Sequence, residues 1–449
     1  MSNAARIIVR PNIADPEIST SAMHCVVGKD IKLNPQHLQD YSATLLLPIE
    51  QDLVILAGAV AYADRIIRRN RSSGWKRTIE LTLPVSDPGR WSDRSVSAPL
   101  RDALSFVTGD DWDFTFVPGA KVLTIPQSSF NFLEREYVVV PFSDGLDSFL
   151  QWQILSSQAG GPSPLRIQTS SRAIDERRNR DIDAAGRHQP PQLNLPVSFA
   201  VGTHPEMSFR TRTFLFFSMA ALAAKKIGAS RIVVGENGVG ALGPSLLPYA
   251  DECPHRTTHP GFTRRLGTFV NALLGGNIHF DHPQRFRTKA QVLVDAVNSG
   301  IANGFEQTRS CVRGPRDRLG RLHCGACSGC LLRRTTFYAA GIESGAYFWD
   351  DLSGVSLDSC RRDSSSRHAT PNDEEIAHHA AHGMTALAAL AARSVDDPVF
   401  RRAAWDIGRD VTGMTATAVH SLVQAHALEW SAFREAYGPN GFLNHSVRE

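Results

Sequence analysis

The sequence is poor in lysine and has no long apolar run. Seven of its 48 basic residues are lysine and the remaining 41 are arginine. We interpret this bias as codon usage, because both cations serve similarly on solvated faces. No window approaches the roughly 18 unbroken apolar residues that a membrane span needs. The N-terminal stretch also lacks the apolar core of a signal peptide. We therefore expect a cytoplasmic protein with no membrane partner.

The chain also has a small net charge and few cysteines. A net charge of +3 over 449 residues gives no support to nucleic-acid binding. Seven cysteines in a reducing compartment should be thiols, and clustered ones suggest a metal site rather than disulfides. With 42% apolar and 21% charged residues, the chain is typical of a globular protein with a sizeable core. Its length predicts two or three domains.

Residues 1–133 show strand-like runs with no repeated β–α pattern. The runs are rich in β-branched residues and end at proline, glycine or aspartate; they are "ARIIVRPN", "HCVVGKDIKL", "RTIELTLPV" and "WDFTFVPG". One apolar pattern with helical spacing, "DLVILAGAVAYADRIIRR", lies among them. We predict an α+β N-terminal domain over 1–133. No motif in it indicates a reaction or a ligand.

Residues 134–350 alternate between strands and helices. The predicted strands are "EYVVVPFS", "LRIQTS", "LNLPVSFAVG", "SRIVVGENG" and "NIHFD". The predicted helices are "LDSFLQWQILS", "SRAIDERRNRDIDAAG", "SFRTRTFLFFSMAALAAKKIG" and "TKAQVLVDAVNSG". This alternation predicts an α/β fold with a doubly wound parallel sheet. Such sheets bind ligands beyond the carboxyl ends of their strands.

The remainder of the chain is a linker and a helical module. Residues 351–375 are rich in serine, arginine and aspartate and poor in large apolar groups, which is typical of a linker. Residues 376–449 carry three runs with helical spacing and predict a C-terminal helical module.

The turn "SDGLDS" at 143–148 follows the first strand of this sheet. A helix begins directly after it, so backbone N–H groups and the positive end of the helix dipole face the turn. Ser143 and Ser148 add hydroxyl groups, and Gly145 permits a backbone that a Cβ would obstruct. These properties predict a cradle for a phosphate or pyrophosphate. The alternative is that Ser143 or Asp144 simply caps the helix.

Four cysteines form the second chemical motif. Cys324, Cys327 and Cys330 have C-x-x-C-x-x-C spacing, and Cys311 lies 13 positions before the first of them. Four thiolates suit a closed, tetrahedral structural Zn²⁺ site. An iron–sulfur cluster also takes four thiolates and is the competing interpretation.

The turn resembles the Ser-Gly-Gly-x-Asp-Ser signature of the PP-loop ATP pyrophosphatases, which have a HUP-type parallel sheet. These enzymes split ATP between its α- and β-phosphates and adenylate a substrate oxygen. The resemblance implies that Mg²⁺ with ATP is bound at the turn, which holds the leaving pyrophosphate. The implied ATP-binding residues are Ser143, Asp144, Gly145, Leu146, Asp147, Ser148 and, from "TKAQ" at the start of a later helix, Lys289. The alternative for Lys289 is a solvated lysine at the end of a helix. The chain departs from the signature at Asp144, where the family has glycine.

The cysteine-rich tail "CGACSGCLLRRTTFYAAGI" is similar to that of the 7-cyano-7-deazaguanine synthases, which are PP-loop enzymes. The resemblance covers residues 136–345 and implies a structural zinc ion on Cys311, Cys324, Cys327 and Cys330. It also implies ATP and a deazaguanine carboxylate as substrates. That carboxylate becomes an amide and then a nitrile, with ammonia as the nitrogen source.

Further residues are candidates for substrate binding. Glu236 and Asn237 end the fourth strand, and they suit the N1–H and amine of a guanine-like base or simply close the strand. The other candidates each have a structural alternative, as surface charge or as packed loop residues; they are Arg210, Arg212, Thr258 and His259.

The chain departs from the housekeeping synthases in length, at Asp144, and in the substrate loop. Their Gly-x-Asn-x-x-Asp loop is replaced after the fourth strand by the longer run "GENGVGALGPSLLPYADECPHRTTHPGF". In these features the chain looks more like the deazaguanine-synthase-like component of bacterial anti-phage defence operons of the Qat type. That likeness implies a partner protein whose N-terminal amine replaces ammonia. A catalytically weakened nucleotide-binding scaffold is the alternative of another class.

Overall fold

The computed structural model describes residues 4–11, 21–42, 44–70, 72, 74–119, 136–169, 192–200, 205–247, 252–301, 304–311, 323–360 and 371–445. The predicted helix at 171–186 lies outside these ranges. Within them, no helix combines the length and the apolarity that crossing a membrane requires.

Strands and helices alternate through most of the described chain. The strands are β1 (Ala5–Arg10), β2 (Met23–Val26), β3 (Ile31–Leu33), β4 (Thr78–Val85), β5 (Asp111–Pro118), β6 (Tyr137–Pro141), β7 (Ser163–Gln168), β8 (Gln192–Asn194), β9 (Val197–Phe199), β10 (Arg231–Val233) and β11 (His279–Asp281). The helices are α1 (Gln36–Ser42), α2 (Pro48–Ile66), α3 (Pro88–Ser92), α4 (Arg94–Thr108), α5 (Leu146–Ser156), α6 (Arg212–Lys226), α7 (Gly238–Ala241), α8 (Pro260–Leu274), α9 (Lys289–Asn298), α10 (Ser328–Ala339), α11 (Pro371–Ala391), α12 (Pro398–Asp410), α13 (Ala416–Glu435) and α14 (Phe442–His445).

The chain folds as two compact units that do not follow the sequence in simple order. The first unit comprises Met1–Phe142, Leu155–Val234 and Tyr249–His282. The second unit comprises Ser143–Ile154, Gly235–Pro248 and Pro283–Glu449. The segments that leave β6 and β10 therefore belong to the second unit, together with the C-terminal helices.

The N-terminal part of the first unit is an all-parallel sheet of order β2-β1-β4-β5. This differs from the α+β arrangement that the sequence predicts. The sequence pattern misses α4, which carries a proline, Pro99, inside its helical run and connects β4 to β5 together with α3. A helical connection between neighbouring strands makes a parallel βαβ unit, because the chain must return to the starting edge before pairing again.

A second parallel sheet of the first unit has the order β11-β10-β6-β7-β8. Chain order runs outward from β6 through β7 and β8 on one side, then restarts with β10 and β11 on the other. The order therefore reverses between β6 and β10. This confirms the predicted α/β architecture with parallel sheets. The predicted third strand is divided at Pro196, beyond which β9 pairs antiparallel with β3. Proline has no N–H to continue a ladder.

One apolar core supports both sheets of the first unit. It combines inward residues of β4 and β6 with the buried faces of α2 and α6, among them Leu53, Leu81, Val139 and Leu222. The pairs α2–α6 and α4–α8 pack side by side.

Three smaller cores support the second unit. The first joins α5, α9 and α10 through Leu146, Leu150, Leu293 and Phe337. In the second, the cysteine segment packs with the C-terminal helices; its buried residues include Cys330, Trp349, Met384 and Trp430. In the third, α7 and the turn after it pack on α12 and α13, with Leu242, Phe400 and Leu422 among the buried residues. The C-terminal helices therefore share cores with the residues that follow β10 and with the cysteines.

Candidate ATP and metal sites

The 143–148 turn is held by the hydroxyl groups of its two serines. Ser148 Oγ donates to the carbonyl oxygens of Ser143 at 2.6 Å and Gly145 at 3.2 Å. The Ser143 N–H in turn donates to Ser148 Oγ at 3.2 Å. Helix α5 begins immediately after Gly145, and the N–H groups of its first turn have no partner within the helix. The turn therefore presents helix N–H donors from a fixed backbone, as an anion cradle requires.

Gly145 occupies a crowded position. Its φ is not among the positive values of the described glycines. A Cβ at this position would lie 3.0 Å from Ser143 Oγ and 3.7 Å from the carbonyl oxygen of Arg309. A side chain at position 145 would therefore require the Ser143 hydroxyl to move slightly, and a role of Gly145 in ATP binding stays a prediction.

Leu146, predicted as an ATP-binding residue, is 1% exposed and belongs to the core of α5, α9 and α10. Its side chain anchors the start of α5. Any contribution from Leu146 to a ligand must come from its backbone.

Asp147 connects the turn to two other segments of the second unit. Its Oδ2 lies 2.7 Å from Lys289 Nζ, and its Oδ1 accepts a hydrogen bond from Asn237 Nδ2 at 2.9 Å. Asn237 Nδ2 also donates to Glu236 Oε1 at 3.1 Å. The side-chain oxygen of Asn237 caps α7 by accepting from the N–H groups of Val239 and Gly240. The structure thus brings together Asp147, Lys289, Glu236 and Asn237.

Burial and the surrounding charges shift the pKa values of this cluster. Burial first, and the Asp147 carboxylate second, raise the pKa of Glu236 to about 8. Burial lowers the pKa of Lys289, but the carboxylates of Asp147 and Glu236 outweigh it, so that the pKa lies above its usual range. At neutral pH this gives a protonated Glu236 beside a Lys289–Asp147 ion pair.

Lys289 is the first residue of α9. Thr288 caps this helix in a capping box, accepting from the Gln291 N–H while the Gln291 side chain accepts from the Thr288 N–H. Thr288 Oγ1 also donates a short hydrogen bond to Glu429 on α13. Burial raises the pKa of Glu429 to about 7, although the hydrogen bond from Thr288 opposes that rise. Sequence reasoning missed Glu429, because its partner lies 141 positions away.

The four predicted metal ligands form one cluster. The sulfur atoms of Cys311, Cys324, Cys327 and Cys330 all lie within 4.8 Å of one another. Two of the separations are 3.7 Å, between Cys324 and Cys330, and 4.0 Å, between Cys311 and Cys327. Tetrahedral ligation with Zn–S bonds of about 2.3 Å separates sulfurs by about 3.8 Å. The cluster therefore fits a single zinc ion, whereas an iron–sulfur cluster is larger and spreads its cysteines further apart.

The fold around the cysteines is built to hold them. Gly325 has φ +94°, and a Cβ there would lie 2.2 Å from the Trp349 carbonyl oxygen, so only glycine fits. Arg333, buried on α10, donates from Nη1 to Thr308 Oγ1 at 2.8 Å. This bond ties α10 to the segment that leads into Cys311.

The other four substrate-binding candidates belong to the first unit. His259 is 2% exposed and caps α8, because its Nδ1 accepts from the Gly261 N–H at 2.9 Å. Arg210 is buried with its guanidinium 5.1 Å from the Trp75 ring, whereas Arg212 is exposed at the start of α6. Thr258 is half-buried in the turn before α8. A substrate-binding role for these four residues stays a prediction.

Fold and site together define an α/β protein with a small-residue turn after the central strand of a parallel sheet, and with a cluster of four cysteines that can hold a metal ion. The family model of "Queuosine biosynthesis protein QueC" matches residues 195–341. A 7-cyano-7-deazaguanine synthase of Acinetobacter baylyi is 32% identical over 225 residues, which are 46% of this chain and 93% of that protein. The chain belongs to the family of these synthases.

Other relatives are matched over shorter stretches. The 7-cyano-7-deazaguanine synthase of Thermoplasma acidophilum is 32% identical over 132 residues, or 29% of this chain and 50% of that protein. The synthase of Azoarcus sp. is 31% identical over 156 residues, or 34% of this chain and 62% of that protein. The chain thus spans about half to three fifths of the length of these two relatives.

Proposed function

We propose that this protein is an ATP-dependent ligase that activates the carboxylate of a 7-deazaguanine. A carboxylate oxygen attacks the α-phosphorus of MgATP, the bond to the β-phosphate oxygen breaks, and pyrophosphate leaves. An amine then attacks the acyl carbon and releases AMP. The observation that carries this proposal is the joining of Asp147, Lys289 and Asn237 at a serine-rich turn with helix N–H donors. Membership in the synthase family supports the same chemistry.

The residues divide into three roles. The 143–148 turn and Lys289 hold the departing pyrophosphate, with Asp147 placing the lysine and contributing a carboxylate toward Mg²⁺. Asp144, the departure from the family signature, lies in this turn. Glu236 binds the donor edge of the base, and Asn237, whose side-chain amide is fully used by Asp147, Glu236 and the cap of α7, holds the two carboxylates in place. The cysteine cluster holds a structural zinc ion and takes no part in the chemistry.

The nitrogen donor separates two versions of the proposal. The names of the relatives favour a nitrile product. In this version ammonia is the nitrogen donor, and a second ATP activates the intermediate amide. The altered loop after β10, the Asp144 position and the additional domains support the other version. In these features the chain resembles the QatC component of Qat anti-phage operons. In this version of the proposal the acceptor is the N-terminal amine of a partner protein.

Product analysis tests the proposal. The purified protein is incubated with 7-carboxy-7-deazaguanine, MgATP and ammonium. Nucleotides and bases are then separated by chromatography and identified by mass spectrometry. AMP, pyrophosphate and a nitrile support the ammonia version. In a parallel reaction without ammonium, a mass gain of one deazaguanine acyl group on the N-terminus of a co-encoded protein supports the protein-amine version. If neither AMP nor pyrophosphate forms in any mixture, the ligase proposal is wrong.

The scaffold alternative is tested by Asp144→Gly, which restores the family signature. A scaffold that Asp144 has disabled should gain ATP hydrolysis in this variant. An active enzyme should already consume ATP with Asp144 present and should not depend on the change.

A further inference from the structure

Arg309 approaches the 143–148 turn from a separate segment of the second unit. Its backbone N–H donates to the carbonyl oxygen of Asp144 at 2.6 Å. Its own carbonyl oxygen lies 3.7 Å from the position that a Cβ on Gly145 would occupy. Residues 308–310 therefore run alongside the Asp144–Gly145 part of the turn.

This segment is fixed on both sides of Arg309. Before it, Thr308 Oγ1 donates to the Phe305 carbonyl oxygen at 2.5 Å and accepts from Arg333 Nη1 at 2.8 Å. After it, Ser310 N–H donates to His323 Nε2 at 3.1 Å, and Cys311 belongs to the metal cluster. The backbone of Arg309 is consequently held in place beside the turn.

The guanidinium group of Arg309 has donors that the fold does not use. Its Nε and Nη1 are buried, and among the described residues no group accepts a hydrogen bond from them. Arginine stays charged at every physiological pH and carries donors only. Burying such donors without an acceptor is costly, so the two buried, unpaired nitrogens of the half-buried Arg309 require an explanation. Arg334 on α10, by contrast, donates to the carbonyl oxygens of Trp349 and Asp350.

We propose that Arg309 binds the pyrophosphate part of the nucleotide, an inference that rests on the proposed function. Phosphate oxygens match the fork of a guanidinium and form charge-assisted hydrogen bonds with it. The turn carries a carboxylate at Asp144 that the family signature lacks, and this carboxylate repels a polyphosphate. The backbone of Arg309 is fixed beside this turn, and its guanidinium, placed on the bound phosphates, would offset that repulsion. Arg309 thus makes pyrophosphate binding compatible with aspartate at position 144.

Calorimetric titration of the full-length protein tests this assignment, with MgATP, AMP and inorganic pyrophosphate as separate probes. Arg309→Gln should weaken pyrophosphate and MgATP about 10- to 100-fold and leave AMP unchanged, because AMP lacks the phosphates concerned. Arg309→Lys, which keeps the charge and loses the fork, should show a smaller loss. The matched control is Arg402→Gln, which removes a cation that is 72% exposed on α12 and should leave all three affinities unchanged.

The double variant Arg309→Gln with Asp144→Gly tests whether Arg309 compensates the charge of Asp144 or only supports the fold. Asp144→Gly should recover part of the pyrophosphate affinity of Arg309→Gln, because the remaining carboxylate is then removed. Equal binding of pyrophosphate by Arg309→Gln and wild type overturns the inference, as does an equal loss for AMP. If Arg309→Gln does not fold, Arg309→Lys is used instead, and a pyrophosphate affinity of this variant equal to that of wild type overturns the inference. Wild-type protein that binds neither MgATP nor pyrophosphate contradicts the proposed function itself.

Discussion

Lys289 Nζ lies 2.7 Å from Asp147 Oδ2, which joins the first residue of α9 to the first turn of α5. The two residues are 142 positions apart in the chain, and the ion pair is largely withdrawn from solvent, with side chains 11% and 18% exposed. A cation in this position is suited to stabilise charge that develops on a leaving pyrophosphate.

Removal of this cation should slow pyrophosphate release. We expect Lys289→Ala to lower kcat/KM for AMP formation by about 100- to 1000-fold, as for other preorganised groups that stabilise charge in a transition state. Lys289→Arg should retain part of the activity. Lys225→Ala, on exposed surface at the end of α6, is the control. Activity of Lys289→Ala within about threefold of wild type would show that the lysine has no such role.

Base binding should release a proton from Glu236. The pKa of Glu236 is raised to about 8, so the free protein holds a proton there at pH 7. A guanine edge presents N–H donors, and only the ionised carboxylate accepts two of them. The affinity for 7-carboxy-7-deazaguanine should therefore increase with pH up to about 8. Titration calorimetry in buffers of different ionisation enthalpy should detect the released proton at pH 7. Glu236→Gln should bind without proton release, and proton release that persists in this variant contradicts the assignment.

Each cluster cysteine should be needed for metal and stability. Cys324→Ser should lose about one equivalent of zinc and lower the free energy of unfolding by at least several kcal/mol, because structural zinc contributes directly to folding. Metal content and thermal unfolding measure the two effects. Cys253→Ser, outside the cluster, should keep both near wild type. An iron-containing protein with the absorbance of an iron–sulfur cluster would contradict the zinc assignment.

Glu429 should make stability depend on pH. Its pKa is about 7 in the folded protein and 4.5 as the ordinary value, so the folded state binds more protons between these pH values. Its contribution is therefore fully present below about pH 4.5 and is lost as the pH rises to 7. Glu429→Gln keeps an acceptor for Thr288 and cannot ionise.

The Tm of Glu429→Gln should therefore rise relative to the Tm of wild type as the pH increases from 5 to 8. Glu435→Gln, an exposed change at the end of the same helix, should show no such difference. A constant gap between Glu429→Gln and wild type across this pH range would mean that Glu429 is not buried as described.

Local patterns predicted the elements whose determinants are short in sequence. The strands β6, β7, β10 and β11 and the helices α5, α6 and α9 follow from β-branched runs and helical spacing. The helix α4 was missed because Pro99 interrupts its pattern, and without α4 the N-terminal sheet could not be predicted as parallel. For Gly145 the sequence predicted that a Cβ would be obstructed, but it did not show that the Ser143 hydroxyl is the obstructing group.

The sequence by itself determined the cysteine cluster and the turn after β6, because both are defined by residue type at short spacing. Tertiary structure alone decided which distant residues meet them. Arg309 and Glu429 belong to no motif, and reach the turn and the cap of α9 only because separate segments pack in one unit. Such contacts depend on how helices and loops fill a common core, and no local pattern of residues encodes that packing.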